Sequence, residues 1–261
     1  MRTDAVTDLI RDVAARLILP RFGHLRPDQV VAKAPGDLVT VADREAELEL
    51  ARVLAAHHPG ALIVGEEAAF ADPRLVADVP DAEQAWLIDP LDGTANFAGG
   101  RPDFGVMVAE VRNGEVVRGW IWQPVHRRLL VAEHGAGVEC DGVSLPRLPD
   151  PQDPIRGAVP RRLRREPVPG FDLRSSSHSC AVDYPALLLG DLDLVAFRHT
   201  QAWDHAAGVL MVTELGGFAA AHPGIPWRPG VRGPVLLSAS SAELWRHADA
   251  ALVTERVLAG G

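Results

Sequence analysis

The sequence predicts a fold of the α+β class, and three observations support this prediction. Apolar residues recur at helical spacing near the start of the chain, over residues 4–19. A stretch rich in β-branched and aromatic residues fills the middle of the chain, residues 104–145. In the second half, helical and strand-like segments alternate. Helices and sheets therefore both contribute, and the sequence contains no internal repeat.

Two helices are expected before the main sheet. The first covers residues 4–19 and ends at Pro20, and the second covers residues 41–57 and ends before Pro59. Residues 33–37, with the sequence KAPGD, are expected to form a loop between them.

Short apolar runs predict the first strands. ALIVGEE ends in two acids, and the run Trp86–Ile88 is expected to end at Asp89 because Pro90 cannot continue a central ladder. The run 104–145 is expected to form an antiparallel meander, and Asn113-Gly114 is a strong signal for a hairpin turn within it.

A change in composition predicts two subdomains, residues 1–150 and residues 151–261. The stretch 146–170 holds seven prolines and six arginines, which favours a solvated connection. Its run RRLRRE lacks interleaved aromatic residues, so a nucleic-acid patch is the weaker interpretation. Beyond it we expect helices at 180–191, 204–217 and 241–260, with strands at 193–197 and 234–240.

Charge and composition limit the partners. The formal net charge is −9, which makes nucleic acid or an anionic membrane an unfavourable partner. Two cysteines are too few for a disulfide framework, and no apolar run is long enough to span a membrane. The N-terminal segment has no apolar core of a secretion signal. A cytoplasmic protein is therefore expected.

The stretch WLIDPLDGTANF places Asp89 and Asp92 at one strand end. Two such carboxylates repel each other unless a cation lies between them. Gly93 permits a close backbone approach, and Thr94 can open a helix whose N–H groups face an anion. The pattern predicts a site for phosphate and a hard cation. An Asp-rich turn with a helix cap is the ordinary alternative, and an EF-hand is excluded because Leu91 stands where that motif needs an acid.

Acids elsewhere in the chain strengthen the interpretation as a metal site. Glu66 and Glu67 end the preceding strand, and that strand end is expected beside Asp89. Asp204 precedes an apolar helix, and Asp43 lies in the first turn of another. Each alone is typical of a surface acid or a helix cap. Their occurrence together points to one carboxylate cluster.

Four motifs stand out along the chain: DLVTVADREAE (37–47), GEE (65–67), WLIDPLDGTANF (86–97) and WDHAAG (203–208). With these motifs, the chain resembles the inositol monophosphatase family, within the lithium-sensitive, magnesium-dependent phosphatase superfamily. The resemblance implies a five-layered αβαβα sandwich of the inositol monophosphatase and fructose bisphosphatase type. It also implies a homodimer.

The resemblance further implies a role for each matching position. The implied metal ligands, for two or three Mg²⁺ ions per site, are Glu66, Asp89, the Leu91 carbonyl, Asp92 and Asp204. The implied catalytic residues, which hold and activate the attacking water, are Asp43, Thr94 and Glu66. The candidate substrate-binding residues are Asp92, Gly93, Thr94, Ala181, Arg198 and Asp204, and Lys33 and Glu67 are further candidates.

The resulting functional prediction is a Mg²⁺-dependent phosphomonoesterase that hydrolyses a small sugar, polyol or related phosphate by metal-activated water. Phe197 stands where inositol-hydrolysing members usually carry an acid, and Arg198 follows it, so a sugar bisphosphate such as fructose 1,6-bisphosphate is an alternative. Histidinol phosphate or NADP are others, although Ala95 disfavours the histidinol-phosphate branch and that of 3′-phosphoadenosine 5′-phosphate. A non-catalytic regulatory member of the family is the last alternative.

Overall fold

Two β-sheets and three layers of helices alternate in the structure, a computed structural model that describes residues 1–34 and 37–254. A seven-stranded sheet carries strands in the order β3-β4-β5-β6-β7-β8-β9, and a six-stranded sheet has the order β11-β10-β12-β15-β13-β14. Strands β1 and β2 form a separate hairpin. The strands are β1 (Val30–Ala34), β2 (Asp37–Thr40), β3 (Leu62–Gly65), β4 (Gln84–Asp92), β5 (Gly105–Arg112), β6 (Glu115–Gln123), β7 (Arg128–Glu133), β8 (Gly137–Cys140), β9 (Val143–Ser144), β10 (Ile155–Val159), β11 (Phe171–Ser175), β12 (Leu194–Phe197), β13 (Phe218–Ala221), β14 (Ile225–Pro226) and β15 (Leu236–Ala239).

The helices lie outside and between the sheets. The helices are α1 (Thr3–Val13), α2 (Val41–His57), α3 (Glu66–Ala71), α4 (Arg74–Ala77), α5 (Thr94–Ala98), α6 (Cys180–Leu188), α7 (Ala202–Glu214) and α8 (Ala242–Ala248). Helix α1 continues into a π-helical turn at Ala14–Ile18, and α8 continues into another at Asp249–Thr254.

Three hydrophobic clusters hold the layers together. Helices α1 and α2 pack on the outer face of the seven-stranded sheet, where Ile10 and Leu50 meet Trp86 and Trp120. Helices α6 and α7 fill the space between the two sheets. Helix α8 covers the outer face of the six-stranded sheet, with Trp245 in that core. The order helix, sheet, helix, sheet, helix confirms the predicted αβαβα sandwich.

Small residues allow α7 to approach its neighbours closely. A Cβ atom added at Gly119 of β6 would lie 2.8 Å from the Ala207 Cα, and one at Gly208 would lie 2.3 Å from the Tyr184 ring. The Ala-Ala-Gly of WDHAAG therefore brings the helix against β6 on one side and against α6 on the other. This packing fixes the start of α7, where Asp204 lies.

The predicted secondary structure is largely confirmed. The meander 104–145 is antiparallel throughout, from β5 to β9. Its first turn has positive φ at Asn113 (49°) and Gly114 (80°), as a two-residue hairpin loop of this type requires. The helices predicted at 4–19 and 41–57 match α1 with its π-helical turn and α2.

Two predicted loops were wrong because they contain strands. Lys33 belongs to β1 and Asp37 to β2, and the two strands pair, so both ends of the predicted loop 33–37 are strand residues. Residues 35 and 36 lie outside the described residues. The Pro- and Arg-rich stretch contains β10, which lies between β11 and β12. Gly157 allows β10 to pack beside β12, because a Cβ atom at this position would lie only 2.8 Å from the Leu194 side chain.

The chain passes from one sheet to the other between Ser144 and Ile155. The division into subdomains at residue 150 stays a prediction. The predicted closing helix is formed as far as Thr254, and its remaining residues lie outside the described residues. Among the helices of the described residues, none is long and apolar enough to cross a membrane.

Candidate active site

The carboxyl ends of two parallel strands bring the first acids together. Strands β3 and β4 are parallel, with Gly65 paired to Ile88, so Glu66 and Asp89 follow at the same sheet edge. This confirms the predicted proximity of the two strand ends. Asp89 is 2% exposed. Burial first, and the neighbouring carboxylate of Glu66 second, raise the pKa of Asp89 well above its ordinary value.

Strand β4 does not end at Asp89 as predicted. It continues to Asp92 through a bulge. Asp89 pairs with Met107 and Asp92 pairs with Gly105, so two residues of β4 lie opposite one residue of β5. Pro90 lies inside this bulge, where a strand tolerates a residue without a backbone N–H. The bulge places both aspartates at one end of the strand.

A tight turn follows the bulge. Gly93 has φ of +90°, and a Cβ atom there would lie 2.9 Å from the Asp103 carbonyl oxygen and 3.1 Å from the Ser179 Cβ. Only glycine satisfies both the backbone conformation and this close approach. Helix α5 then begins at Thr94, as the sequence predicted.

Asp43 and Thr94 meet across 51 positions of the chain. The Thr94 hydroxyl Oγ1 lies 2.8 Å from Asp43 Oδ1, and the other oxygen, Oδ2, accepts a hydrogen bond of 2.9 Å from the Thr40 backbone N–H. Thr40 is the N-cap residue of helix α2, and the Asp43 carboxylate completes the capping box. The same carboxylate holds Thr94. Burial raises the pKa of Asp43 to about 6, against the hydrogen bonds from Thr40 and Thr94.

Lys33 neutralises the two glutamates of the GEE motif. Its Nζ lies 2.7 Å from Glu66 Oε1 and 2.8 Å from Glu67 Oε1. Burial opposes the charge of the ammonium group, but the carboxylates outweigh it and raise the pKa of Lys33. Burial also raises the pKa of Glu66, to about 7, although Lys33 lowers it.

Asp92 is held by the segment that leads into α6. Its Oδ2 accepts hydrogen bonds from Ser179 Oγ at 2.5 Å and from the Ala181 backbone N–H at 2.6 Å. Burial raises the pKa of Asp92 to about 6 against these two bonds. Ala181 does not line the cavity described below, and substrate binding by this residue stays a prediction. The residue is fully buried, its methyl group packs toward Gly105, and its backbone N–H holds Asp92.

Asp204 comes from the first turn of α7 in the other half of the chain. Burial first, and the carboxylates of Asp92 and Glu66 next, raise the pKa of Asp204 well above its ordinary value, while a hydrogen bond with Asp89 lowers it. The segment GEE, the segment DPLDGT and α7 therefore converge.

A single cavity of about 700 Å³ collects these groups. Its floor carries the acids and the turn, and its rim carries three arginines, Arg101, Arg161 and Arg198. The predicted site residues that line it are Glu66, Asp89, Leu91, Asp92, Gly93, Thr94, Arg198 and Asp204. Asp43, Lys33 and Glu67 do not line it, but Asp43 contacts Thr94, and Lys33 contacts both Glu66 and Glu67.

Several supporting residues escaped the sequence prediction. Glu47 accepts hydrogen bonds from the Glu67 and Ala68 N–H groups, which holds the start of α3. The Asn96 amide donates to the Asp103 and Ser177 carbonyl oxygens, which ties α5 to the segment before α6. Glu47 is the last residue of the motif DLVTVADREAE (37–47), four positions after Asp43 on the same helix, and that motif was the signal available in the sequence.

Aromatic rings shape the inner wall of the cavity. Phe197 is 8% exposed and packs against the Tyr184 ring at 5.0 Å and the His205 ring at 4.9 Å. His205 Nε2 lies 2.8 Å from the His199 carbonyl oxygen, and Nδ1 lies 3.1 Å from the Tyr184 hydroxyl. Burial lowers the pKa of His205 to about 4, so the ring is neutral at neutral pH.

Comparisons with known proteins agree with this geometry. The family model of the inositol monophosphatase family matches residues 2–255. An inositol-1-monophosphatase of Mesorhizobium japonicum is 31% identical over 79% of this chain and 80% of its own. A fructose-1,6-bisphosphatase/inositol-1-monophosphatase of Thermotoga maritima is 30% identical over 79% of this chain and 83% of its own. The crystal structure of the extragenic suppressor protein SuhB of Bartonella henselae superposes with a TM-score of 0.76 at 26% identity, over 96% of this chain and 99% of that one.

The fold and the carboxylate-lined cavity define a phosphatase, a phosphoric monoester hydrolase. The chain belongs to the inositol monophosphatase family.

Proposed function

We propose that this chain is a Mg²⁺-dependent phosphomonoesterase for a small sugar or polyol phosphate, and that Glu66, Asp89, the Leu91 carbonyl, Asp92 and Asp204 hold the metal. The observation that carries the proposal is the convergence of four carboxylates from three chain segments on one cavity.

The donor set fits Mg²⁺. Carboxylate and carbonyl oxygens are the ligands that this ion prefers. Burial raises the pKa values of Asp89, Asp92 and Asp204, and a bound cation would offset the cost of ionising these carboxylates. When bound, Mg²⁺ would neutralise charge on the phosphoryl group.

The pair Asp43 and Thr94 is suited to prepare the attacking water. Because the Thr94 hydroxyl donates to Asp43 Oδ1, its oxygen can accept a hydrogen bond from a water in the cavity. A proton leaving that water can then pass through Thr94 to Asp43. A carboxyl with a pKa of about 6 is a suitable base near neutral pH.

The phosphate itself has a place beside the turn. Gly93 and Thr94 line the cavity at the start of α5, where backbone N–H groups can approach phosphate oxygens because residue 93 has no side chain. The phosphoryl group would thus lie between this turn and the carboxylates.

The rim supports a second candidate, a sugar carrying two phosphates. Phe197 presents a ring to the cavity and cannot accept hydrogen bonds from sugar hydroxyls, which disfavours inositol 1-phosphate. The exposed Arg198 and the rim residues Arg101 and Arg161 place positive charge where a second phosphate would lie. One relative, from Thermotoga maritima, is named for both activities.

Phosphate release from a substrate panel tests the proposal. We expect turnover with Mg²⁺ that EDTA abolishes, measured on inositol 1-phosphate, fructose 1,6-bisphosphate, histidinol phosphate and NADP. Asp92→Asn and Asp204→Asn should each retain less than about a tenth of the activity while the protein stays folded by circular dichroism. Higher residual activity would contradict the assigned ligands. No turnover of any substrate would favour the regulatory binding role instead.

Charge reversal at the rim separates the substrates. Arg198→Glu should lower kcat/KM for the bisphosphate at least about tenfold more than for a monophosphate. Arg228→Glu is the matched control, because Arg228 is exposed but does not line the cavity. Equal losses on both substrates would remove the bisphosphate candidate. A cytoplasmic location and a homodimer stay predictions.

A further inference from the structure

One cluster in the cavity has the chemistry of a different metal. Cys180, Asp204 and His205 each offer one ligand atom, and these atoms all lie within 4.8 Å of one another. All three residues line the cavity, so an ion can reach them from the substrate side. Tetrahedral sites with sulfur, nitrogen and oxygen ligands are typical of Zn²⁺, and Mg²⁺ has no preference for thiolate or imidazole.

We propose that Cys180, Asp204 and His205 form an inhibitory site for a thiophilic divalent cation such as Zn²⁺. Because all three residues line the cavity, a water or a substrate oxygen from the cavity could supply the fourth ligand. On binding, the Cys180 thiol releases one proton to solvent and the sulfur becomes a thiolate ligand.

The hydrogen bonds of His205 suit it to this role. The His199 carbonyl oxygen can only accept, so the ring nitrogen 2.8 Å from it, Nε2, carries the proton. Nδ1 is then the nitrogen with a free electron pair, and its present partner is the Tyr184 hydroxyl at 3.1 Å. A histidine ligand that donates its other N–H to a backbone carbonyl is the usual arrangement in metal sites. We therefore assign Nδ1 as the ligand atom.

The positions of the ligands on two helices make the site compact. Cys180 is the first residue of α6, and Asp204 and His205 lie in the first turn of α7. The two helices are packed closely because Gly208 admits the Tyr184 ring. Small side-chain movements therefore suffice to bring three ligands to the roughly 3.5 Å spacing that zinc bond lengths require.

Asp204 belongs to both sets of ligands, and this gives the inhibition its mechanism. An ion that draws Asp204 toward Cys180 and His205 removes it from the carboxylates proposed to hold Mg²⁺. Zn²⁺ should therefore inhibit, and saturating Mg²⁺ should only partly relieve it. This inhibition rests on the proposed function, whereas the binding of the cation does not.

Cobalt binding to the full-length chain tests the site without any assay of activity. Co²⁺ in place of Zn²⁺ should give the near-ultraviolet charge-transfer absorption of a cobalt–thiolate bond, saturating at one ion per chain. Cys180→Ser should abolish the band, and Cys140→Ser, which changes the half-exposed cysteine of β8, should leave it unchanged. A wild-type protein without the band, or a band that survives Cys180→Ser, would overturn the proposal.

Inhibition supplies the second test. With Mg²⁺ saturating, the Zn²⁺ concentration for half-inhibition should rise at least about tenfold in Cys180→Ser, each variant being compared with its own uninhibited rate. Zn²⁺ inhibition that is the same in both proteins would show that zinc acts only at the carboxylates and would overturn the inhibitory role. A cobalt–thiolate band without hydrolysis of any substrate would refute the proposed function but support this site.

Discussion

The Glu47 carboxylate fills the space where a side chain at Gly65 would begin. A Cβ atom at Gly65 would lie 2.1 Å from Glu47 Cδ, and the Glu47 oxygens accept hydrogen bonds of 2.8 and 2.9 Å from the Glu67 and Ala68 N–H groups. The glycine of the GEE motif is therefore a packing requirement. It lets a buried acid of α2 hold the backbone that presents Glu66 to the cavity.

We expect Gly65→Ala to destabilise the protein by about 1–3 kcal/mol, because the added methyl group must displace Glu47 or the start of α3. Turnover should fall with it, since Glu66 moves with α3. Urea unfolding and Mg²⁺-dependent phosphate release measure the two effects.

A double-mutant cycle with Glu47→Ala provides the control. Glu47→Ala alone loses two hydrogen bonds, but in the Gly65→Ala background it also relieves the clash. The double variant should therefore be more stable than the sum of the two single changes predicts. Additive losses would show that the methyl group does not meet Glu47.

The activity should fall as the pH drops below about 6, because Asp43 must be ionised to accept a proton through Thr94. The measurement is kcat/KM against pH at several saturating Mg²⁺ concentrations. The acid limb should not move with Mg²⁺. A limb that shifts to lower pH as Mg²⁺ rises would belong to the carboxylate ligands and would contradict the assignment to Asp43.

Asp89→Asn should make the metal-free protein more stable at neutral pH, by about 1 kcal/mol or more. The pKa of Asp89 is raised in the folded state, so the folded protein binds a proton that the unfolded chain releases near its ordinary value of 3.8. The wild-type protein therefore loses stability as the pH rises from about 3.8 to the raised pKa of the folded state. The variant has no carboxyl group at this position and does not lose this stability. The amide oxygen can keep the hydrogen bond from the Leu91 N–H.

Urea unfolding in EDTA at about pH 5 and about pH 8 measures the difference, which should grow with pH. Adding Mg²⁺ at about 100 times its Kd should stabilise the wild type by about 2.7 kcal/mol and the variant much less. A variant that is less stable than the wild type in EDTA at both pH values would contradict the prediction.

Lys33→Gln should lower the Mg²⁺ concentration that gives half-maximal activity. The Lys33 ammonium group lies 2.7 Å from Glu66 Oε1 and so competes with a metal ion for that oxygen. Arg21→Gln, which removes a more exposed pair with Glu45, is the matched control. A higher Mg²⁺ requirement in Lys33→Gln would instead mean that Lys33 positions Glu66 for the metal.

The sequence predicted those parts of the fold that carry strong local signals. Helix α2 combines a cap at Thr40 with an apolar period, and the hairpin at Asn113-Gly114 needs two residues with positive φ. The placement of Glu66 beside Asp89 followed from two strands ending in acids. These features depend on neighbours in the sequence or on one pairing of strands.

Long-range packing determined what the sequence could not show. Strand β10 lies in a stretch whose prolines and arginines are typical of a connection, and it forms because Gly157 admits the side chains of Leu194 and Leu173. The role of Ala181 behind Asp92 depends on the meeting of α6 with the end of β4. The cluster of Cys180 with His205 arises from the close packing of two helices.

Helix α7 has a consequence for how the active protein is assembled. Its first turn supplies Asp204, while Glu66, Asp89 and Asp92 all precede the crossing between the sheets. Neither half of the chain therefore carries all four of the acids proposed to hold the metal. A metal ion bound by residues of both halves would link them. Catalytic competence would then report directly on whether the two sheets have docked, and a polypeptide cleaved between residues 145 and 154 could recover it only by reassociation.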